Sequence, residues 1–281
     1  MPLRNPLYLD AESLYAYAQY SQIEPESIKD VVERHRNTKE ATAKAGVPGA
    51  NAQGGGALEV EVQHSYTLAP KQKAAVSRSL DELIREEAIL TLGGQDRAPE
   101  KDDLVHAEGR LVMTPTSLAG KMLEFLRQHI GDDDGTVSAL MAGEGLPDAA
   151  LGKVLRDAYF KGTLPNIPLL MELRGTGYQG RVFVSLPPSG FVDVAQAEHI
   201  EGNRRVLGQV EELIGGGNEG YLSAEKWLLS RWDYMMRRLM MAQMTGTVEK
   251  LIDNLGIELE VHDVHATLQG PAVILNAVMV Y

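Results

Sequence analysis

The segment that most constrains the fold is the apolar run AVILNAVMVY at residues 272–281. Such a run predicts a strand, in which successive side chains point to opposite faces. Both faces of this strand would be apolar, one with Val273, Leu275, Ala277, Met279 and Tyr281, the other with Ile274, Val278 and Val280. A strand that is apolar on both faces needs cover on both sides. We therefore expect it to pair inside the main sheet.

Strands and helices are interspersed along the rest of the sequence. Alternating polarity and apolar runs predict strands near 58–68, 103–113, 169–174, 181–186, 191–199, 204–214 and 257–268. Helical periodicity and capping residues predict helices after Asp10 and near 25–44, 71–90, 116–130, 148–161 and 223–244. Since no regular βαβ period is present, we predict an α+β fold with a mixed, largely antiparallel sheet and helices packed on it.

The length of 281 residues allows one large or two small domains, and we interpret residues 1–281 as a single unit. The stretch GVPGANAQGGGA at 46–57 predicts a flexible loop, because glycine imposes almost no backbone preference. A second predicted loop, GDDDGTVSALMAGEGLP at 131–147, is the best candidate for a subdomain boundary.

The composition excludes several classes of function. With 27 basic and 39 acidic residues, the formal charge is −12, which argues against a nucleic-acid partner or an anionic membrane surface. The absence of cysteine excludes disulfides, thiolate nucleophiles, iron–sulfur clusters and cysteine-ligated zinc, and it fits a reducing compartment. No apolar run approaches about 18 residues and no signal-peptide core is present, so we predict a cytoplasmic protein without a transmembrane segment.

Two His-x-Glu-Gly stretches are the first candidates for chemistry. They begin at His106 and His199, and residues two apart on a strand share a face, so Glu108 and Glu201 could each orient an imidazole. The same pattern opens the zinc-deaminase signature, but that chemistry also needs a Pro-Cys-x-x-Cys motif. A chain without cysteine cannot supply it. The interpretation we favour is two unrelated strand ends before glycine turns.

The penultimate predicted strand is the second candidate. Glu258, Glu260 and His262 would share one face and Asp263 and His265 the other, and carboxylate and imidazole groups suit zinc or a harder metal. A solvated strand face explains the same residues. The sequence contains no His-Glu-x-x-His motif, P-loop, Rossmann fingerprint or nucleophile elbow. We therefore predict no metal and no cofactor, and we lean against an enzyme.

Adjacent arginines and clustered aromatic residues are candidates for binding. Arg204 and Arg205 could bind a phosphate or carboxylate through bidentate hydrogen bonds, although nearby glutamates could pair with them instead. Four tyrosines lie within the first 20 residues, where they predict either an interface or packing of a helix onto a sheet: Tyr8, Tyr15, Tyr17 and Tyr20.

The segment KWLLSRWDYMMRRLMMAQM combines aromatic and methionine residues on more than one helical stripe. Such a helix is central to the core, or it contacts a partner or a second copy of the chain, and methionine adapts to irregular contacts. Membrane-surface binding is a third interpretation, which the net charge disfavours. Trp227 and Trp232 are its candidate interface residues.

Several short motifs together resemble an uncharacterised bacterial and phage-associated family that is known only as a domain of unknown function. They are Tyr8-Leu9-Asp10, a glycine-rich stretch before the strand at Val60 and Val62, EGRL at 108–111, VLGQV at 206–210, and GPAVI at 270–274 followed by Tyr281. The resemblance covers nearly the whole chain as one unit. It implies a cytoplasmic accessory protein connected with mobile elements and phage defence, and it supplies no catalytic residues.

From the sequence we expect a non-catalytic cytoplasmic binding or regulatory protein. It would act through protein–protein contacts with a partner or a second copy, as an accessory, antiphage-defence or phage-exclusion component. The alternative is a metal-assisted hydrolase or nuclease that uses dispersed histidine and carboxylate residues.

Overall fold

The computed structural model describes residues 3–23, 29, 31–33, 68–86, 88–94, 97–121, 168–192, 199–216, 220–230, 232–241 and 266–281. Its helices are α1 (Ala11–Tyr20), α2 (Pro70–Arg85) and α3 (Glu225–Leu228), and residues 115–121 and 234–241 are also helical. Its strands are β1 (Tyr8–Leu9), β2 (Leu90–Thr91), β3 (Leu104–Met113), β4 (Leu169–Arg174), β5 (Arg181–Leu186), β6 (Gly202–Ile214), β7 (Tyr221–Ser223), β8 (Thr267–Gln269) and β9 (Ala272–Val280).

Several predicted segments lie outside the described residues. They are the loop at 46–57, the boundary at 131–147, the helix at 148–161, the strand at 58–68 apart from Leu68, and the strand at 257–268 before residue 266. In the part of the chain that the structure describes, no helix is long and apolar enough to cross a membrane.

Five strands close into a barrel. β3 pairs with β4, β4 with β5, β5 with β9, β9 with β6, and β6 pairs back with β3. Within this ring the β5–β9 pair is parallel and the other four pairs are antiparallel. Outside the ring, β1 pairs with β9 in antiparallel orientation and β2 pairs with β3 in parallel orientation. The predicted mixture of helices with a mixed sheet is confirmed. The sheet is not simply a sheet with helices packed on it, as predicted, because it closes on itself into the barrel.

The barrel interior is a packed apolar core. Its strands contribute alternate buried residues, as the period of two requires: Val105, Ala107, Leu111, Leu169, Met171, Leu173, Val182, Val184, Leu186, Val206, Val210, Val273, Leu275, Ala277 and Val280. Tyr8 and Phe191 belong to the same cluster, with perpendicular rings whose centroids are 5.4 Å apart. Phe191 pairs with Tyr8 as an isolated bridge, and residues 193–198 of the predicted strand at 191–199 lie outside the described residues.

Helices cover the outside of the barrel in two places. On one side, Leu14 of α1 and Leu80 and Leu83 of α2 belong to a cluster that includes Leu207 and Met279. On another side, the cluster consists of the following buried residues from the 115–121 segment, the barrel strands and the chain around α3: Ala119, Leu170, Phe183, Ile214, Ala224, Trp227, Leu228, Leu229, Leu268, Ala272 and Ile274. The cap predicted for α1 is present, since the Ser13 N–H donates to Asp10 Oδ1 at 3.1 Å.

The prediction that residues 272–281 pair inside the main sheet is confirmed. β9 bonds to β5 and β1 along one edge and to β6 along the other, and all its residues except Asn276 are buried. The predicted faces are wrong near its end, because the register slips: Leu207 faces Met279 while Gly208 faces Ala277. Val278 is the extra residue of this bulge, so Val280 instead of Met279 joins the barrel interior.

The long helix predicted at 223–244 is interrupted. α3 ends at Leu228, and a second helical stretch starts at residue 234. Asp233 explains the new start, because its Oδ1 accepts a hydrogen bond from the Met236 N–H at 3.0 Å. An aspartate favours this capping position over a helix interior, where it has a lower propensity.

Substitution of Gly109 tests how closely β3 packs against β4. A Cβ added there would overlap the Arg174 carbonyl oxygen of β4 and lie 3.2 Å from Leu173 Cγ. We expect Gly109→Ala to lower the free energy of unfolding by about 3 kcal/mol, because the β4 backbone that the new methyl group would overlap cannot move without straining the barrel. Urea unfolding measures the change. Gly215→Ala is the matched control, with nothing within 4 Å of its Cβ, and should stay within about 0.5 kcal/mol of wild type. Equal effects of both substitutions would contradict the close approach.

Candidate functional site

A polar cluster lies on the outside of the barrel, where β3, β6 and the residue after β9 meet. His106 of β3 and Tyr281 are joined by a hydrogen bond of 3.1 Å between imidazole Nε2 and the hydroxyl. Burial and then the charge of Arg205 lower the pKa of His106, whereas Glu108 opposes this shift. Burial also raises the pKa of the Tyr281 hydroxyl. The surroundings therefore favour the neutral forms of both groups.

Arg4 connects this cluster to helix α2. Its guanidinium lies 5.5 Å from the centre of the Tyr281 ring and forms an ion pair with Asp81. The same guanidinium donates to the Ser77 carbonyl oxygen at 3.3 Å, and the Arg4 backbone N–H donates to Ser77 Oγ at 3.0 Å. These contacts hold the N-terminal residues, α2 and the end of β9 together.

The first His-x-Glu-Gly stretch does not form a histidine–carboxylate pair. Arg205 Nε donates to Glu108 Oε2 at 2.8 Å, and both side chains are more than half exposed. Arg205 lies directly opposite Glu108 in the β3–β6 register, which explains the pairing. An exposed pair of this kind contributes little to stability.

The second stretch closes a turn. Glu201 Oε1 accepts a hydrogen bond from the Met113 N–H at 2.8 Å. Arg204 donates to four carbonyl oxygens around the same turn: those of His199, Ile200, Glu201 and Asn203. Arg204 and Arg205 thus point to different partners, as adjacent strand residues do. The two arginines do not converge on one anion site.

No group of three or more histidine, aspartate or glutamate side chains in the described ranges is arranged to hold a metal ion. The candidate ligands Glu258, Glu260, His262, Asp263 and His265 lie outside those ranges.

A buried carboxylate on β4 forms ion pairs with two arginines. Glu172 accepts hydrogen bonds from Arg174 Nε at 2.9 Å and from Arg181 Nε at 2.8 Å. Burial alone would raise the pKa of the Glu172 carboxyl, but the hydrogen bonds and charges of the two arginines hold it below its ordinary value. This group fastens the β4–β5 hairpin, in which Arg181 also lies 4.8 Å from the centre of the Phe183 ring.

The structure distributes the four N-terminal tyrosines over different environments. Tyr8 is buried in the barrel cluster, and Tyr15 and Tyr17 are half-buried beside the cluster under α1 and α2. Burial and then the charges of Asp102 and Asp103 raise the pKa of Tyr17. Tyr20 is 89% exposed. These tyrosines do not form a single surface.

The two tryptophans have opposite environments. Trp227 is 1% exposed, and its Nε1–H donates to Ser185 Oγ at 3.1 Å. Its ring covers the outer face of β4 and β5 together with Leu170 and Phe183. The outer face of these two strands is therefore covered by the chain's own tryptophan.

Trp232 belongs to an exposed apolar surface, which we call the 232–239 surface. Five large side chains form it, and each is exposed to a substantial extent: Trp232 37%, Tyr234 55%, Met235 66%, Met236 39% and Leu239 61%. Met240 and Met241 pack against the cluster around Trp227, so the segment is anchored to the barrel. The Arg238 guanidinium lies 5.4 Å from the Tyr234 ring centre and 3.8 Å from Glu225 Oε1.

Sequence reasoning missed Arg4, Asp81 and Tyr281 as members of a polar cluster. The Tyr281 hydroxyl and the His106 imidazole are 175 residues apart in the chain. A spacing motif cannot reveal a pair at that separation. The only indication of this cluster in the sequence was Tyr281, the polar residue at the end of an otherwise apolar strand.

Comparisons with known proteins identify no family for this chain: no family model matches it, and neither a curated protein nor a solved structure matches it. The geometry of the described residues is therefore the basis for a functional proposal.

The His106 environment predicts a pH dependence of stability. Because the folded-state pKa is lowered, the unfolded chain binds more protons between that value and the ordinary value of about 6.5, so stability falls as the pH drops through this window. We expect His106→Gln to flatten this dependence, as measured by urea unfolding between about pH 5 and 7. An unchanged slope, or an NMR titration of His106 with a midpoint above about 6.5, would contradict the assignment.

The tryptophan pair predicts two different outcomes. Trp227→Ala should lower the free energy of unfolding by about 3–5 kcal/mol, because it leaves a cavity beside Leu170 and Phe183 and removes the partner of Ser185. Trp232→Ala should change it by less than about 1 kcal/mol, since the ring is partly in water. Chemical denaturation checks both values. A large loss for Trp232→Ala would show that this ring is a core residue.

Proposed function

We propose that this chain is a non-catalytic binding or regulatory protein that acts by contacting another protein through the 232–239 surface. The observation that carries the proposal is the exposure of five large apolar side chains within eight consecutive residues. Apolar patches of this kind on a folded protein mark interaction sites more often than scattered single residues do. Tryptophan and tyrosine are also the residues that most often anchor protein interfaces.

The segment is suited to binding because it is held in place before a partner arrives. Asp233 caps its start, and Met240 and Met241 attach it to the cluster around Trp227. A preorganised surface loses less conformational entropy on association than a disordered one. Methionine side chains on the exposed side adapt to the shape of the partner.

The biological setting of the proposal comes from the motif resemblance alone. It makes the protein a cytoplasmic accessory component of antiphage defence or phage exclusion, belonging to the uncharacterised bacterial and phage-associated family. The charge of −12 favours a protein partner or a second copy of the chain over nucleic acid.

Site-specific photo-crosslinking tests the proposal. The photoreactive amino acid p-benzoylphenylalanine at Met235 should capture a discrete protein in cells that naturally express the chain. The same amino acid at Arg78, which is exposed on α2, is the control and should not capture it. A crosslinked species of twice the chain mass would identify a second copy as the partner.

Affinity measurements with the captured protein provide the quantitative test. Trp232→Ala should weaken binding by about tenfold or more, as expected for a central aromatic contact. Arg78→Ala should leave it unchanged. Equal capture from positions 235 and 78, or unchanged binding by Trp232→Ala, would contradict the proposal. Hydrolysis by the purified protein that depends on added Mn²⁺ or Zn²⁺ would favour the metal-assisted enzyme instead.

A further inference from the structure

A cavity lies where the β4–β5 hairpin loop meets the chain between β2 and β3. Its volume is about 360 Å³, which falls within the usual range of roughly 300–1,000 Å³ for small-molecule sites. Leu90, Leu92, Pro99 and Tyr178 supply apolar walls, and Thr91 and Gln179 supply polar side chains. The lining residues differ from those of the 232–239 surface, so this cavity is a separate candidate site.

Gly93 brings the two sides of the cavity together. It has a φ of +83°, which favours glycine, and a Cβ at this position would lie 2.7 Å from the Thr176 carbonyl oxygen and 2.9 Å from Tyr178 N. The two loops therefore contact each other backbone to backbone. Gly94 and Gly177 also line the cavity, so part of its wall consists of peptide groups without side chains.

Tyr178 is the aromatic wall of the cavity and is held in position. Its ring packs against the barrel core, and its backbone N–H donates to Thr176 Oγ1 at 3.3 Å. A Cβ at Gly180 would lie 2.8 Å from Tyr178 Cε1, which places the ring close over that glycine. A fixed aromatic ring beside flat peptide groups suits a flat ligand, because ring faces stack favourably in offset arrangements.

Among the described lining residues, the single charged side chain, Arg97, is already neutralised. Arg97 forms a two-point ion pair with Asp103, with Nη1 and Nη2 donating to Oδ2 and Oδ1 at 2.6 and 2.8 Å. Hydrogen bonding to Arg97 holds the pKa of the Asp103 carboxyl below its usual value. Arg97 Nη1 also donates to the Ala98 carbonyl oxygen at 3.1 Å. Because the charge of Arg97 is already balanced by Asp103, it offers little net attraction to an anionic ligand, so the site favours a neutral one.

We propose that this cavity binds a neutral, planar heteroaromatic compound of nucleoside size. The ligand ring would lie against Tyr178 and the apolar residues Leu90 and Leu92. Its donor and acceptor edge would face Thr91, Gln179 and the glycine peptide groups, which offer both donors and acceptors. Stacking on one aromatic ring contributes binding for any nucleobase, and edge contacts provide selectivity.

NMR titration of the ¹⁵N-labelled full chain with adenosine and with uridine tests the proposal. We expect saturable shifts at the backbone amides of Gly93, Gly94 and Gly177 with at least one of the two nucleosides. Tyr178→Ala should raise the Kd of the nucleoside that binds by roughly five- to a hundredfold. Tyr178→Phe, which keeps the ring, should leave that Kd within about twofold of the wild-type value. Tyr221→Ala, which alters an exposed tyrosine outside the cavity, is the matched control.

Two further measurements test the proposal without depending on whether Tyr178→Ala folds. Gln179→Ala alters an exposed side chain and should weaken binding even where Tyr178→Ala fails to fold. Benzoate serves as a planar anion and should bind more weakly than the nucleoside. The proposal is overturned if neither nucleoside shifts the glycine amides at millimolar concentration, if Gln179→Ala and Tyr178→Ala leave binding unchanged, or if benzoate binds more tightly.

Discussion

The structure depends on β9 being satisfied on both edges and both faces at once. Its backbone bonds to β5 and β1 on one side and to β6 on the other. Its side chains enter every apolar cluster of the described residues: Val273 and Leu275 the barrel interior, Ile274 the cluster around Trp227, and Met279 the cluster under α1 and α2. A strand so placed joins elements that are far apart in the chain, because each of them buries its apolar side against the same nine residues.

The bulge at Val278 then decides what lies outside the barrel. In strict alternation Tyr281 would share a face with Val273 and Leu275 and point inward. The extra residue reverses that phase, so Val280 fills the interior and Tyr281 emerges beside His106. The contact of Arg4 with the Tyr281 ring depends on this reversal. A one-residue irregularity in a ladder thus creates the polar cluster.

The surfaces with binding potential lie on segments outside the barrel strands. The 232–239 surface follows α3, and the cavity beside Tyr178 is formed by the connections between β2 and β3 and between β4 and β5. A closed barrel has no free sheet edges and a filled interior, so contact with other molecules falls to the connecting segments. In this chain the outer face of β4 and β5 is also occupied, by Trp227.

The sequence by itself determined the local elements: the strand at 272–280, the β4–β5 hairpin, most of β3 and β6, and the Asp10 cap of α1. Each of these is encoded by periodicity or capping within a few residues. Closure of the barrel, the burial of Tyr8 and Trp227, the exposure of Trp232 and the meeting of His106 with Tyr281 were decided only by the tertiary structure. Periodicity reports which face of an element is apolar but not which distant element covers it. The physical reason is that register, bulges and burial are settled by pairing between segments as far apart in the chain as Tyr8 and Val280.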